Sequence, residues 1–209
     1  MCATLLSAFP THSILAEESG TRVGTDPRYR WIIDPLDGTT NYAHGFPFFC
    51  VSIALEVEGR LALGVAYAPS LDELFVAEAG RGATVNDRPI QVSATHQLDQ
   101  ALLATGFPYD RAEFGRALRS FEVVSFQSQA VRRAGSAVLD LCYVACGRLD
   151  GYWEHAVKPW DVAAGALIVL EAGGSVTGTD GSVFSVEAGQ VLATNGLLHR
   201  PISTALAGL

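Results

Sequence analysis

Short apolar runs separated by glycine, proline and aspartate organise the first half of the chain. Cys2 to Ala8 is predicted to be helical, with a turn at Pro10 and a short strand over Ser13 to Ala16. Gly20 to Arg30 is rich in Gly, Thr, Asp and Pro and is expected to be a loop. Strands are then predicted from Trp31, at Cys50 to Glu56, at Leu61 to Tyr67 and at Glu73 to Glu78. Gly59-Arg60 and Pro69 to Asp72 supply the turns between them. Trp31 to about Val92 therefore reads as an antiparallel meander, with Phe46, Phe48 and Phe49 as core or dimer-contact residues.

The texture changes near Asp99. Short strands are predicted at Ala101 to Thr105, Val123 to Phe126, Leu149 to Glu154, Ser175 to Thr177 and Gln190 to Thr194. Helices are predicted over Arg111 to Phe121, from Ser136 to about Cys146, from Trp160-Asp161 through Glu171, and over His199 to Leu206. Ser136 suits an N-cap, and Gly173-Gly174 suits a helix stop. A meander followed by mixed elements predicts an α+β fold, with a mixed sheet in the second half. The halves are placed at residues 1–98 and 99–209.

The stretch Trp31-Ile32-Ile33-Asp34-Pro35-Leu36-Asp37-Gly38-Thr39-Thr40-Asn41 carries the most chemistry. An apolar strand is expected to break into a turn there. Two carboxylates, Asp34 and Asp37, stand three positions apart around a proline that stiffens the turn. Gly38 permits a close approach to the backbone, and the amides of Gly38 and Thr39 could form an anion-binding concavity. Carboxylates beside an anion nest make sense if cations lie between them and a phosphate, which points to Mg²⁺. An ordinary strand-ending turn is the competing reading. Asp161, before a strongly apolar helix, is open to the same double reading as an N-cap or a metal ligand. Glu17-Glu18 reads either as solvated surface or as a further carboxylate source.

Composition narrows the choice. The 209 residues are 49% hydrophobic and 17% charged, a globular balance, and the net charge is −8. That charge argues against non-specific binding to nucleic acid and against an anionic membrane surface. An acidic chain that handles phosphate must recruit cations. The four cysteines, Cys2, Cys50, Cys142 and Cys146, form no Cys-x-x-Cys pair; Cys142 and Cys146, one helical turn apart, read as buried free thiols before a metal or redox pair, and the pattern fits a reducing, cytoplasmic setting. Met1 to Pro10 lacks a positive leader region, and no run approaches the length of a membrane span.

Three motifs in order resemble the inositol monophosphatase family, the Mg²⁺-dependent, lithium-sensitive phosphomonoesterases. They are Ala16-Glu17-Glu18-Ser19, Trp31 to Asn41, and Trp160-Asp161-Val162-Ala163-Ala164-Gly165. Arg132-Arg133-Ala134-Gly135-Ser136-Ala137 and Asp150-Gly151-Tyr152-Trp153-Glu154 match as well, in the style of bacterial members. The resemblance implies a layered αβαβα sandwich, a homodimer, a small phosphorylated alcohol as substrate and two or three Mg²⁺ per site. It implies Glu17, Asp34, the carbonyl of Leu36, Asp37 and Asp161 as metal ligands, and Glu17, Asp37 and Thr39 as catalytic. Gly38 and Thr39 would hold the phosphate, and Leu36, Asp37 and Asp161 would count among the substrate-binding residues as well. Gly135, Ser136, Ala137, Glu154 and Arg132 would hold the alcohol.

Two departures stand out. Ala16 replaces the family's usual glycine, and the chain lacks the two helices with which the family begins. An N-terminally truncated form is therefore expected, without the aspartate that helps Thr39 polarise water. Inositol monophosphate is the expected substrate. Histidinol phosphate, fructose 1,6-bisphosphate and a nucleotide 3′-phosphate are alternatives, as is an inactive phosphatase-like interaction protein. Phosphomonoester hydrolysis by metal-activated water needs no Ser or Cys nucleophile.

Overall fold

The structure is a computed structural model that describes residues 1–108 and 111–207. It stacks five layers: helix, sheet, helices, sheet, helices. The outermost layer is α1 (Cys2–Ala8). It packs Cys2, Leu5 and Leu6 against Ile14, Ala16, Trp31 and Ile33 of the first sheet.

That sheet has eight strands: β1 (Ser13–Ala16), β2 (Gly20–Arg22), β3 (Tyr29–Asp37), β4 (Cys50–Val57), β5 (Arg60–Ala68), β6 (Glu73–Glu78), β7 (Ala83–Val85) and β8 (Arg88–Pro89). Their order is β2-β1-β3-β4-β5-β6-β7-β8. The predicted meander is thus observed from β3 onward, and only β1 runs parallel to its neighbour β3. In β4 buried and half-buried residues alternate, so one face meets the interior helices and the other faces outward. Between β3 and β4 lies α2 (Thr39–Ala43).

The second sheet has the order β10-β9-β11-β13-β12. Its strands are β9 (Leu102–Thr105), β10 (Ala130–Arg132), β11 (Gly151–His155), β12 (Ser175–Thr177) and β13 (Gln190–Thr194). β10, β9 and β11 are parallel, while β13 and β12 are antiparallel, so the sheet is mixed as expected. Two apolar helices, α4 (Ala137–Ala145) and α5 (Pro159–Glu171), fill the space between the sheets. Their close contact uses Gly165, where a Cβ would fall 2.6 Å from the side chain of Leu141. The last layer is α3 (Arg111–Ser125) with α6 (His199–Leu206), which bury Val124, Ile202 and Leu206 against Leu103, Trp153 and Leu192. Among the described residues no helix is long and apolar enough to cross a membrane.

Four expectations need correction. Gly20 to Arg22 is not loop but the edge strand β2, paired with β1. Its residues are all exposed, so no apolar pattern marks it, and Gly20 at φ +67° makes the tight return possible. Val123 to Phe126 is not a strand: α3 continues to Ser125, and burial of Val124 overrides the β-branched propensity. The strand lies instead at Ala130–Arg132. The turn expected after Ile33 is also displaced. β3 runs on to Asp37, and Thr39–Ala43 is helical. A register shift between Asp34 and Asp37 takes Pro35 and Leu36 out of the ladder, so the missing proline donor costs no strand bond. Finally, Asp161 is not the N-cap of α5; Lys158 is, with Pro159 at the first helical position.

Candidate metal centre

The bulged end of β3 places Asp34 and Asp37 in the lining of a cavity of about 690 Å³ that residues of both sheets share. The amino end of α5 brings Asp161 to the same point. Carboxylate oxygens of Asp34, Asp37 and Asp161 lie within 4.8 Å of one another. Three acids so close repel unless a cation or protons intervene.

Each acid is held by backbone. Asp34 accepts a hydrogen bond from the Leu36 amide at 2.8 Å, an Asx turn built by the bulge. Asp161 accepts from the Lys158 amide at 2.7 Å and so closes the first turn of α5. Asp37 meets the amino end of α4: it accepts from the Val138 amide at 2.9 Å and from the Ser136 hydroxyl at 2.5 Å. The helix N-terminus favours that negative charge. Burial, and then the Asp37 charge, push the Asp34 carboxyl up to about 8. Burial raises Asp37 to about 6 against the lowering effect of Ser136 and Val138. Burial likewise raises Asp161 to about 7, opposed by the Lys158 amide.

Gly38 turns the chain from β3 into α2 at φ +88°, and a Cβ there would lie 2.9 Å from the Phe48 carbonyl oxygen. Thr39 follows as the first residue of α2 and donates its hydroxyl to the Leu36 carbonyl at 2.9 Å. Glu17, in the β1–β2 hairpin, lines the cavity beside the cluster, with its amide bonded to Ile33 O at 3.2 Å. Gly135 and Ala137 line the cavity as well, and Glu154 lines it from β11. Ser136 lines it too, but its hydroxyl serves Asp37 and accepts from the Leu139 amide at 3.3 Å. Arg132 falls elsewhere. It borders an adjacent groove of about 420 Å³ with Phe46, Phe48 and Tyr143.

Residues that sequence reasoning passed over complete the cavity: Arg133, Asp140, Lys158 and Gly106. Asp140 had a legible signal, an acid within the apolar helix α4. Its burial, with Asp37 and Glu154 nearby, pushes its carboxyl well up. Arg133 could have been found by noting that consecutive strand-end residues face opposite ways. Asn41 was also missed. Its amide group donates to Phe48 O at 2.7 Å and to Ala134 O at 2.8 Å, tying α2 to the segment before α4.

The sequence profile of the inositol monophosphatase family matches residues 1–208. The chain belongs to the inositol monophosphatase family. It is 52% identical over 199 residues to the inositol-1-monophosphatase of Synechocystis sp., covering 95% of this chain and 69% of that one. The solved inositol monophosphatase of Anabaena (Nostoc) sp. superimposes with a TM-score of 0.94 at 52% identity, covering 98% of this chain and 82% of that one. A relative from Pseudomonas aeruginosa, named Nus factor SuhB, is 44% identical over 209 residues, or 98% of this chain and 77% of that one. The donor set suits a hard divalent cation. Among the described residues the cluster offers carboxylate oxygens of Asp34, Asp37 and Asp161 and no nitrogen or sulfur ligand.

Proposed function

We propose that the chain is a phosphoric monoester hydrolase that cleaves a small phosphorylated alcohol, inositol monophosphate foremost, with Mg²⁺. The observation that carries this reading is the cluster of Asp34, Asp37 and Asp161 in a cavity that Glu154 also lines. Membership of the family supports the reaction class.

Asp34, Asp37 and Asp161, with Glu17 and the Leu36 carbonyl, would hold two or three Mg²⁺. Those ions supply charge for the phosphoryl oxygens and lower the pKa of a bound water. The chain's own part is positioning, as suits a transition state with its charge spread over oxygen. The Gly38 and Thr39 amides and the dipole at the start of α5 would orient the phosphate. Thr39 would orient the attacking water. Gly135, Ala137 and Glu154 would hold the alcohol, with Ser136 acting through Asp37. Residues 1–98 then contribute Glu17, Asp34 and Asp37, and residues 99–209 contribute Asp161 and the alcohol wall. A homodimer in a reducing, cytoplasmic compartment accompanies this reading.

The test is a panel of esters with Mg²⁺: inositol 1-phosphate, histidinol phosphate, fructose 1,6-bisphosphate and a nucleoside 3′-phosphate. The highest kcat/KM is expected for inositol 1-phosphate, with inhibition by Li⁺. A higher value for another ester, or indifference to Li⁺, counts against the assignment. The relative named Nus factor favours a second reading, an interaction protein of the same fold. Absence of phosphate release from every ester in the panel would favour it.

A further inference from the structure

Glu154 is a half-buried acid that lines the cavity from β11, and its place is set from two sides. On one side is Gly106, just after β9. A Cβ there would lie 2.0–2.2 Å from the carboxylate atoms of Glu154, so the carboxylate rests on bare backbone. On the other side is Tyr152, two residues earlier in β11 and therefore on the same face of the strand. Its hydroxyl donates to Oε2 of Glu154. Tyr152 is fully buried and packs in the main core with Leu139 and Leu141 of α4. The ring is thus fixed by packing, and its one polar atom is spent on Glu154.

The arrangement divides the work of the carboxylate. A carboxylate only accepts hydrogen bonds, and it has about four lone-pair positions on two oxygens. Tyr152 takes one position on Oε2, and among the described residues no donor meets Oε1, which is left for a donor from the cavity. A buried carboxylate without a partner would either swing away or lose its charge. We propose that Tyr152 is a positioning residue that fixes Glu154 to accept hydrogen bonds from hydroxyl groups of the leaving alcohol, and so sets preference for polyol phosphates. This inference rests on the phosphatase reading above. Tyr152 does not touch the substrate, and the chemistry at phosphorus does not need it.

The experiment compares kcat/KM for inositol 1-phosphate with that for p-nitrophenyl phosphate, whose leaving group carries no hydroxyl donor. It is run on the full chain with Mg²⁺, for the parent, Tyr152→Phe, Glu154→Gln and the double variant. Tyr152→Phe is expected to lower the ratio about tenfold, mainly through KM for the polyol ester. Glu154→Gln is expected to lower it by a similar or larger factor. The double variant should match Glu154→Gln alone, because a positioning residue has nothing left to position. A ratio within twofold of the parent in Tyr152→Phe, or two losses that multiply in the double variant, overturns the role of Tyr152 while leaving the phosphatase reading intact. A parent chain that hydrolyses neither ester overturns both.

Discussion

Ser136 and Asp37, 99 residues apart in sequence, share one buried hydrogen bond: the Ser136 hydroxyl donates to Oδ2 of Asp37 at 2.5 Å. The same hydroxyl oxygen accepts from the Leu139 amide at 3.3 Å, the N-cap contact of α4. One side chain therefore starts the helix and orients an acid of the metal cluster. Ser136→Ala should lower stability by about 1–2 kcal/mol through the lost cap. It should also weaken Mg²⁺ affinity roughly 10-fold or more, as outer partners of metal ligands do. Denaturant unfolding and Mg²⁺ titration of the same variant separate the two effects. Loss of stability with unchanged Mg²⁺ affinity would leave Ser136 a cap alone.

The acids of the cluster predict how stability depends on pH. Unfolded aspartates titrate near ~4. In the fold Asp37 titrates at about 6, Asp161 at about 7 and Asp34 at about 8. Between those limits the native state binds more protons than the unfolded one, so stability falls as pH rises. The stabilising contribution is complete below ~4 and lost by the time pH passes the folded values. Mg²⁺ held by the ionised acids, as proposed, should reverse the trend. Thermal midpoints of chelated protein should fall from pH 5 to pH 8, and the gain on adding Mg²⁺ should be larger at pH 8. A gain independent of pH would remove these acids from the Mg²⁺ site.

Asn41 tests how the proposed alcohol wall is held. Its two donors join Phe48 and Ala134, so Asn41→Ala leaves two carbonyl oxygens without a partner. A loss of about 2–3 kcal/mol is expected in urea unfolding. Because the segment before Ser136 is then released, KM should rise more than kcat falls. An unchanged urea midpoint would show that water replaces both bonds at no cost.

Much of this fold was legible because its elements are locally consistent. The β3–β6 meander and helices α4, α5 and α6 follow from apolar runs bounded by Gly, Pro and Asp. What was illegible depends on tertiary pairing. β2 is exposed throughout and exists through its partner β1, and the last turn of α3 is helical because Val124 is buried. The acids Asp34, Asp37 and Asp161 could be picked from motif order, but their convergence needs the bulge in β3 and the start of α5. The support around them was hidden for a similar reason. Nothing local links Ser136 to Asp37 or Asn41 to Ala134, and Tyr152 reads as one more core aromatic until its hydroxyl is seen on Glu154.

Phosphate release is proposed to depend on a cation that Asp34, Asp37 and Asp161 hold. The most direct test is phosphate release from inositol 1-phosphate across a Mg²⁺ titration, with the parent chain and Asp37→Asn. Release should require Mg²⁺, vanish in excess EDTA, return when Mg²⁺ is restored, and fall about 100-fold or more in folded Asp37→Asn. Undiminished release in excess EDTA, or turnover of Asp37→Asn within a few-fold of the parent, would contradict it.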